Sequence, residues 1–196
     1  MEREHGMDIR EMKKKLRKEA IALALSLPET CRKEADARIV CRLLELPEYK
    51  NADTVFCFVG VEHEIDTRPF LQRVLDDGKR LAVPLCTGKR TMEAKRIHSL
   101  DALKRGNYGL YEPDPSSETI PMEQIGFAVI PCLAADRQGN RLGHGGGYYD
   151  ALFHQYPNTP AAIVCRERLI RECIPLEPFD HRFSITVTEA GVFRAE

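Results

Sequence analysis

The chain has 196 residues, 43% hydrophobic and 30% charged, which is enough apolar material for one globular domain over residues 1–196 with a sizeable core. Its 29 basic and 30 acidic residues leave a formal net charge of -1, so nothing general points to nucleic acid or a membrane surface, and any polyanion site must be local. The stretch Met1-Glu2-Arg3-Glu4-His5 lacks an apolar signal core, and no uninterrupted apolar segment reaches membrane-spanning length, so a cytoplasmic protein is expected.

Asp8, followed three residues later by Glu11, has capping-box spacing and opens a helix expected over about 9–27. Met12, Leu16, Ala20, Leu23 and Leu27 form its apolar stripe, Lys13, Lys14, Lys15, Arg17 and Lys18 crowd the rest, and Pro28 stops it. A second amphipathic helix is expected over about 32–46, with Ala35, Ile39, Leu43 and Leu46 on its apolar side and Pro47 beyond. The period then changes. A β-branched and aromatic run over about 54–59 suits a buried strand, about 68–78 reads as a helix, about 81–85 as a strand and about 91–97 as an edge strand. After a proline-bearing loop over about 112–121 come a strongly apolar strand over about 127–132, a helix over about 146–155, and strands over about 161–165 and 183–187. Alternating helices and strands predict an α/β fold, three-layered, with a mainly parallel central sheet flanked by helices.

The most specialised stretch is Arg141-Leu-Gly-His-Gly-Gly-Gly-Tyr-Tyr-Asp150, which follows an apolar strand and a turn at 136–140. It is neither a Walker loop nor a dinucleotide fingerprint, since no Gly-Lys-Ser/Thr follows and Tyr148 stands where the fingerprint needs glycine. A strand, Arg141, four glycines and a helix start would bring a guanidinium, free amides and a positive helix end onto one anion. A tight crossover using glycine only for packing is the plain alternative. Asp150 adds a hard oxygen ligand for magnesium, which Asp180 would complete unless it merely caps a turn after Pro178. Lys13 and Arg17, four residues apart on the first helix, share a face and repel unless an anion compensates them, although a basic helix face is commonly just solvated. Glu62, His63, Glu64 and Asp66 follow the first strand, at the sheet edge where α/β proteins bind ligands; scattered surface acids are the competing explanation. The seven cysteines contain no Cys-x-x-Cys pair, and Cys57, Cys132 and Cys165 lie in strand-like apolar runs as core, with no nucleophile among them.

The run from Asp136 to Asp150 resembles the signature of the 5-formyltetrahydrofolate cyclo-ligase (5,10-methenyltetrahydrofolate synthetase) family, and other landmarks agree in order. Lys13-Lys-Lys-Leu-Arg17 is similar to its amino-terminal element, Phe58-Val-Gly-Val-Glu-His-Glu64-Ile-Asp to its early substrate segment, and Tyr108-Gly109-Leu-Tyr-Glu112-Pro113 to its Tyr-Gly-x-x-Glu-Pro stretch. The resemblance implies a fold like that of sugar-phosphate isomerases and CoA transferases (NagB/RpiA type). It also implies an ATP- and magnesium-dependent cyclisation of 5-formyltetrahydrofolate to 5,10-methenyltetrahydrofolate. By the same resemblance ATP is bound by Lys13, Arg17 and the loop Arg141, Leu142, Gly143, His144, Gly145, Gly146, Gly147, Tyr148 and Tyr149. Folate is bound by Val59, Glu64, His144, Gly145, Gly146, Gly147 and Tyr148, and magnesium by Asp150 and Asp180, with Arg141, Tyr148 and Asp150 at the reacting centre. Ser184 stands where an acidic residue is common in the family. The implied partners are the two substrates, with no nucleic acid, no membrane and a monomeric state. The alternative is a non-catalytic or regulatory nucleotide-binding relative, against which the presence of Asp150, Asp180 and Glu64 argues.

Overall fold

The computed structural model describes residues 8–106 and 110–195, so Met1 to His5, Tyr108 and Gly109 lie outside the described residues. In chain order the elements are α1 (Ile9–Ser26), α2 (Glu29–Glu45), α3 (Pro47–Asn51), β1 (Thr54–Cys57), α4 (Arg68–Asp76), β2 (Arg80–Gly88) and β3 (Thr91–Ile97). Two short strands β4 (Lys104–Arg105) and β5 (Tyr111–Glu112) pair with each other, followed by β6 (Phe127–Ile130) and a small hairpin of β7 (Ala134–Ala135) and β8 (Arg141–Leu142). The chain ends through α5 (Tyr148–Gln155), β9 (Ala161–Val164), β10 (Ile185–Val187) and β11 (Val192–Arg194).

The main sheet runs β11-β10-β9-β6-β1-β2-β3. Its five inner strands pair in parallel, while β3 and β11 add antiparallel edges. β1, β6 and β9 are buried at every position, which is why they read as unbroken apolar runs: a parallel strand covered on both faces has no solvent side to make polar. Alternation still sorts their side chains. Phe56, Ala128 and Ile163 face a core layer shared with Ala20 and Ala24 of α1 and Phe153 of α5, whereas Val55, Cys57 and Val129 face Ile39 and Leu43 of α2 and Phe70 and Leu71 of α4. Each fully buried Phe or Leu stabilises the fold by about 1.5–3 kcal/mol. Connections leave the β1–β6 pair in opposite directions, towards β2 on one side and β9 on the other. That reversal leaves a crevice at the carboxyl ends of β1 and β6.

Several expectations change in detail. Asp8 occupies the N-cap position but makes no side-chain capping bond, so the capping box does not form. The buried face of α1 is turned from the apolar stripe: Lys13, Ala20 and Ala24 are buried and Met12 is exposed. The Lys13 ammonium is drawn inwards by carboxylates from the far end of the chain, which hydropathy periodicity cannot register. α2 begins at Glu29, immediately after Pro28, whose fixed φ suits a helix start. β6 stops at Ile130 because Pro131 has no N–H for the ladder. The Gly-rich run stays non-helical until Tyr148, with Gly147 as N-cap at φ 70°. The sequence reading omitted α3, the β4–β5 and β7–β8 pairs and β11. Cys57, Cys132 and Cys165 are buried, but Cys31, Cys41, Cys86 and Cys173 are exposed. Among the described residues no helix is long and apolar enough to cross a membrane.

Candidate active site

A cleft of ≈ 940 Å³ opens at the carboxyl ends of β1 and β6, where the strand order reverses. Its first wall is the loop after β1. Phe58 and Val59 are buried, and the chain turns at Gly60, where a Cβ would overlap the Ile65 carbonyl. Thr67 Oγ1 fixes the turn, donating to the Phe58 carbonyl at 2.8 Å and accepting the Gly60 amide at 3.0 Å. Arg166, just beyond β9, holds the loop from below: Nη1 donates to the His63 carbonyl at 3.3 Å and Nη2 to the Glu64 carbonyl at 2.6 Å. The same guanidinium is gripped by Asp36 of α2 through bonds of 2.7 and 2.8 Å, and Asp36 also accepts the Asp66 amide at 2.9 Å. This bidentate pair is buried, so loss of either member would leave an uncompensated charge, a cost of about 3–5 kcal/mol. The loop is thereby fixed, and Glu64 projects into the cleft with a side chain only 7% exposed. Burial pushes its carboxyl up to about 7, against the opposing pull of the Val61 amide it accepts and of Arg166.

The second wall carries cations. Lys13 lies almost wholly buried between Asp180, which it contacts directly, and Glu177 at 3.1 Å; its hydrogen bond is the main reason the Glu177 carboxyl is held below its usual range. Arg17, one turn along, donates from Nε to the Gly143 carbonyl at 2.9 Å, and its guanidinium packs over Gly145, where the positive φ of 99° and the close contact both exclude a side chain. Arg141 is buried beneath the loop. Its Nη2 donates to Asp150 Oδ1 at 3.1 Å, its guanidinium carbon lies 5.5 Å from the Tyr149 ring centre and 5.6 Å from that of Phe183, and its Nε has no partner. Asp150 Oδ1 also accepts the His181 amide at 3.2 Å, and Asp180 Oδ2 accepts the Glu177 amide at 2.8 Å, so the two carboxylates flank one short turn. Asp180 thus caps that turn as well as facing the cleft. Asp150 Oδ2 and Asp180 Oδ1 make no hydrogen bond among the described residues, which leaves each carboxylate one oxygen for a cation.

The walls meet at two histidines. His144, at the tip of the Gly-rich loop, brings Nε2 to 2.8 Å from His63 Nε2 and Nδ1 to 3.7 Å from Glu64 Oε1. Burial, with His63 and the nearby arginines, holds the His144 imidazole down at about 4, and burial also lowers His63, so both rings are neutral at pH 7.

All the site residues expected from sequence line this one cleft: Lys13, Arg17, Val59, Glu64 and the whole run from Arg141 to Asp150, with Asp180. Two of them face it incompletely. Leu142 is buried in the core beside α1 and α5, and the Tyr149 ring packs at 6.4 Å from Phe56, with burial raising its hydroxyl far above the usual range. The sequence reading missed Arg166, Asp36, Glu177 and Arg90. Asp36 alone left a signal, as a carboxylate within the apolar stripe Ala35, Ile39, Leu43. Arg90 sits at the tip of the β2–β3 hairpin with φ 59°, its guanidinium 4.7 Å from the Phe179 ring centre, and adds a further cation to the second wall.

A sequence model described as the 5-formyltetrahydrofolate cyclo-ligase family matches residues 9–189. The chain belongs to this family. A probable 5-formyltetrahydrofolate cyclo-ligase of Schizosaccharomyces pombe is 27% identical over 173 residues, covering 79% of this chain and 84% of the relative. The 5-formyltetrahydrofolate cyclo-ligase of Escherichia coli is 25% identical over 166 residues, covering 82% and 91%. Among solved structures, the 5,10-methenyltetrahydrofolate synthetase of Aquifex aeolicus superposes with a TM-score of 0.83 at 30% identity, covering 93% of this chain and 92% of that one. This chain is therefore an enzyme of the cyclo-ligase family, and the family's mostly parallel α/β sheet is the one described above.

Proposed function

We propose that the protein converts 5-formyltetrahydrofolate into 5,10-methenyltetrahydrofolate with consumption of ATP, in the presence of magnesium, releasing ADP and phosphate. The observation that carries this reading is the junction of two unlike walls at one loop. A cation-rich wall suited to a polyphosphate and a wall with a neutral-poised carboxyl suited to a heterocycle both end on residues 143–148.

The chemistry needs such a junction. An N-formyl group is a poor electrophile whose oxygen leaves badly. Transfer of the γ-phosphoryl group to that oxygen gives an iminium phosphate; N10 then attacks the formyl carbon, loses its proton, and the C–O bond breaks as phosphate departs. The protein's task is mainly to position both ligands and neutralise phosphate charge. Arg17, Lys13 and Arg141 supply fixed positive charge, and the Gly-rich loop, free of side chains at four positions, lets backbone N–H groups approach the phosphates. Asp150 and Asp180 would hold magnesium through their free oxygens, a hard donor pair that matches magnesium's habit of binding one or two carboxylates plus phosphate. When bound, the ion would neutralise charge on the phosphate oxygens. Glu64, poised near neutrality, would take up the amidine-like edge of the pterin, whose N–H donors favour its ionised form. Tyr148, half-buried at the start of α5 with its ring against Gly146, would pack on the folate ring, and Val59 would line the same subsite.

The test is purified protein with 5-formyltetrahydrofolate, ATP and magnesium, followed for methenyl absorbance in the near ultraviolet. A gain that requires all three additions is expected. ATP binding without any gain in absorbance would overturn the reading.

A further inference from the structure

His63, Glu64 and His144 each present one ligand atom, and the three atoms lie within 4.8 Å of one another. We infer that this trio is a binding site for an imidazole-preferring divalent ion of the zinc class, separate from the Asp150 and Asp180 carboxylates, and that the ion ties the two loops together across the cleft.

The chemistry of the donors selects the ion. Two neutral imidazoles and one carboxylate are the ligand types of zinc sites with three protein ligands, whose fourth position is left to water or substrate, whereas magnesium favours an all-oxygen shell. All three residues line the cleft. The Nε2 atoms of His63 and His144 already stand 2.8 Å apart; tetrahedral coordination at a Zn–N distance of about 2.0–2.1 Å needs about 3.3 Å, a rearrangement of about half an ångström. His144 is half-exposed on a glycine-flanked loop and can supply that movement, while Glu64 accepts the Val61 amide through Oε2 and keeps Oε1, 3.7 Å from His144 Nδ1, free of hydrogen bonds among the described residues. The other two ligands sit on a firm base, because the buried Arg166–Asp36 pair holds the carbonyls of both His63 and Glu64. The site does not depend on the identity of the substrate. Its effect on turnover rests on the folate reading: an ion on Glu64 would occupy the group proposed to receive the pterin.

The test is titration of the intact protein with zinc chloride against a chromophoric zinc chelator, with cobalt chloride as a spectroscopic probe. One equivalent is expected to bind, with cobalt visible bands typical of nitrogen and oxygen ligands and no intense thiolate-to-metal band. His63→Ala and His144→Ala should each weaken that equivalent by at least about tenfold, by analogy with the 10–100-fold losses seen when groups supporting a metal are removed. Asp150→Asn should leave its affinity unchanged. Circular dichroism of the metal-free variants checks that each is folded. Unchanged zinc affinity in both histidine variants, or a cobalt spectrum dominated by thiolate, would overturn the inference by placing the ion on exposed cysteines. If methenyl formation is absent from the protein but the histidine-dependent equivalent remains, the folate reading fails and the metal site stands.

Discussion

The two walls of the cleft keep polar groups out of water by opposite means. On the wall built from α1, the Gly-rich loop and residues 177–181, buried charge is matched by opposite charge: Lys13 with Asp180 and Glu177, and Arg141 with Asp150. On the wall after β1, burial instead favours the neutral forms of two groups that face the cleft, raising the Glu64 carboxyl to about 7 and lowering the His63 imidazole. Beneath that wall lies the buried Arg166–Asp36 pair, which meets the loop only at backbone groups, the His63 and Glu64 carbonyls and the Asp66 amide. Arg17 and Arg90, which pair with no carboxylate among the described residues, give the α1 wall its field for a polyanion, whereas a carboxyl balanced between its two forms can respond to a neutral ring that offers hydrogen-bond donors. Under the proposed function, the same α/β crevice would hold a polyphosphate against one side and the uncharged pterin ring of the folate against the other.

The comparison breaks first at Arg141. Replacing it with Met leaves Asp150 without its cationic partner and removes a guanidinium beneath the loop, so activity should fall by more than about a hundredfold and unfolding free energy by about 3 kcal/mol. Steady-state rates and urea unfolding would measure the two. Arg166→Gln should cost a similar amount of stability, about 3–5 kcal/mol, but its kinetic signature differs: KM for folate should rise while KM for ATP stays within about twofold, since the clamp holds only the first wall. A parallel rise in both KM values would mean that Arg166 supports the whole cleft.

The smallest expected effect is a pair of opposite pH dependences. Folding raises the Glu64 pKa from 4.5 to about 7, so the folded state binds the extra proton and stability is lost as pH rises from about 4.5 to 7. Folding lowers the His144 pKa from 6.5 to about 4, so its contribution is present above 6.5 and lost as pH falls towards 4. The two slopes oppose each other between about pH 4.5 and 6.5. Glu64→Gln should unmask the histidine slope, with stability rising with pH, and His144→Gln the carboxyl slope, with stability falling. Urea midpoints across that range would separate them; slopes of the same sign in both variants would show that neither group sets the local dependence.

The layered fold was legible because β1, β6 and β9 are buried on both sides and so carry no polar positions to blur them. The face of α1 was not, because Lys13 is buried by partners 164 and 167 positions away, and periodicity scores a lysine as solvent-facing whatever neutralises it. The same distance hides the clamp: Asp36 and Arg166 are 130 positions apart, and neither has a local reason to be buried. The cleft-lining groups were easier to place. Gly60 and the glycines of residues 143–147 mark places where backbone must come close to something, and the resemblance of residues 13–17, 58–66 and 136–150 to one family supplied the rest. Arg90 escaped because a basic hairpin tip has no sequence feature that distinguishes it from an ordinary turn.

The division of labour between the walls is tested most directly by measuring equilibrium binding of ATP with magnesium and of 5-formyltetrahydrofolate separately, on Glu64→Ala and on Arg17→Met. Loss of a hydrogen bond to a charged group, about 1.5–3 kcal/mol, predicts that Glu64→Ala binds folate at least about tenfold more weakly with ATP affinity within about twofold, and that Arg17→Met shows the reverse. Equal losses of both ligands in both variants would contradict the assignment of one wall to each.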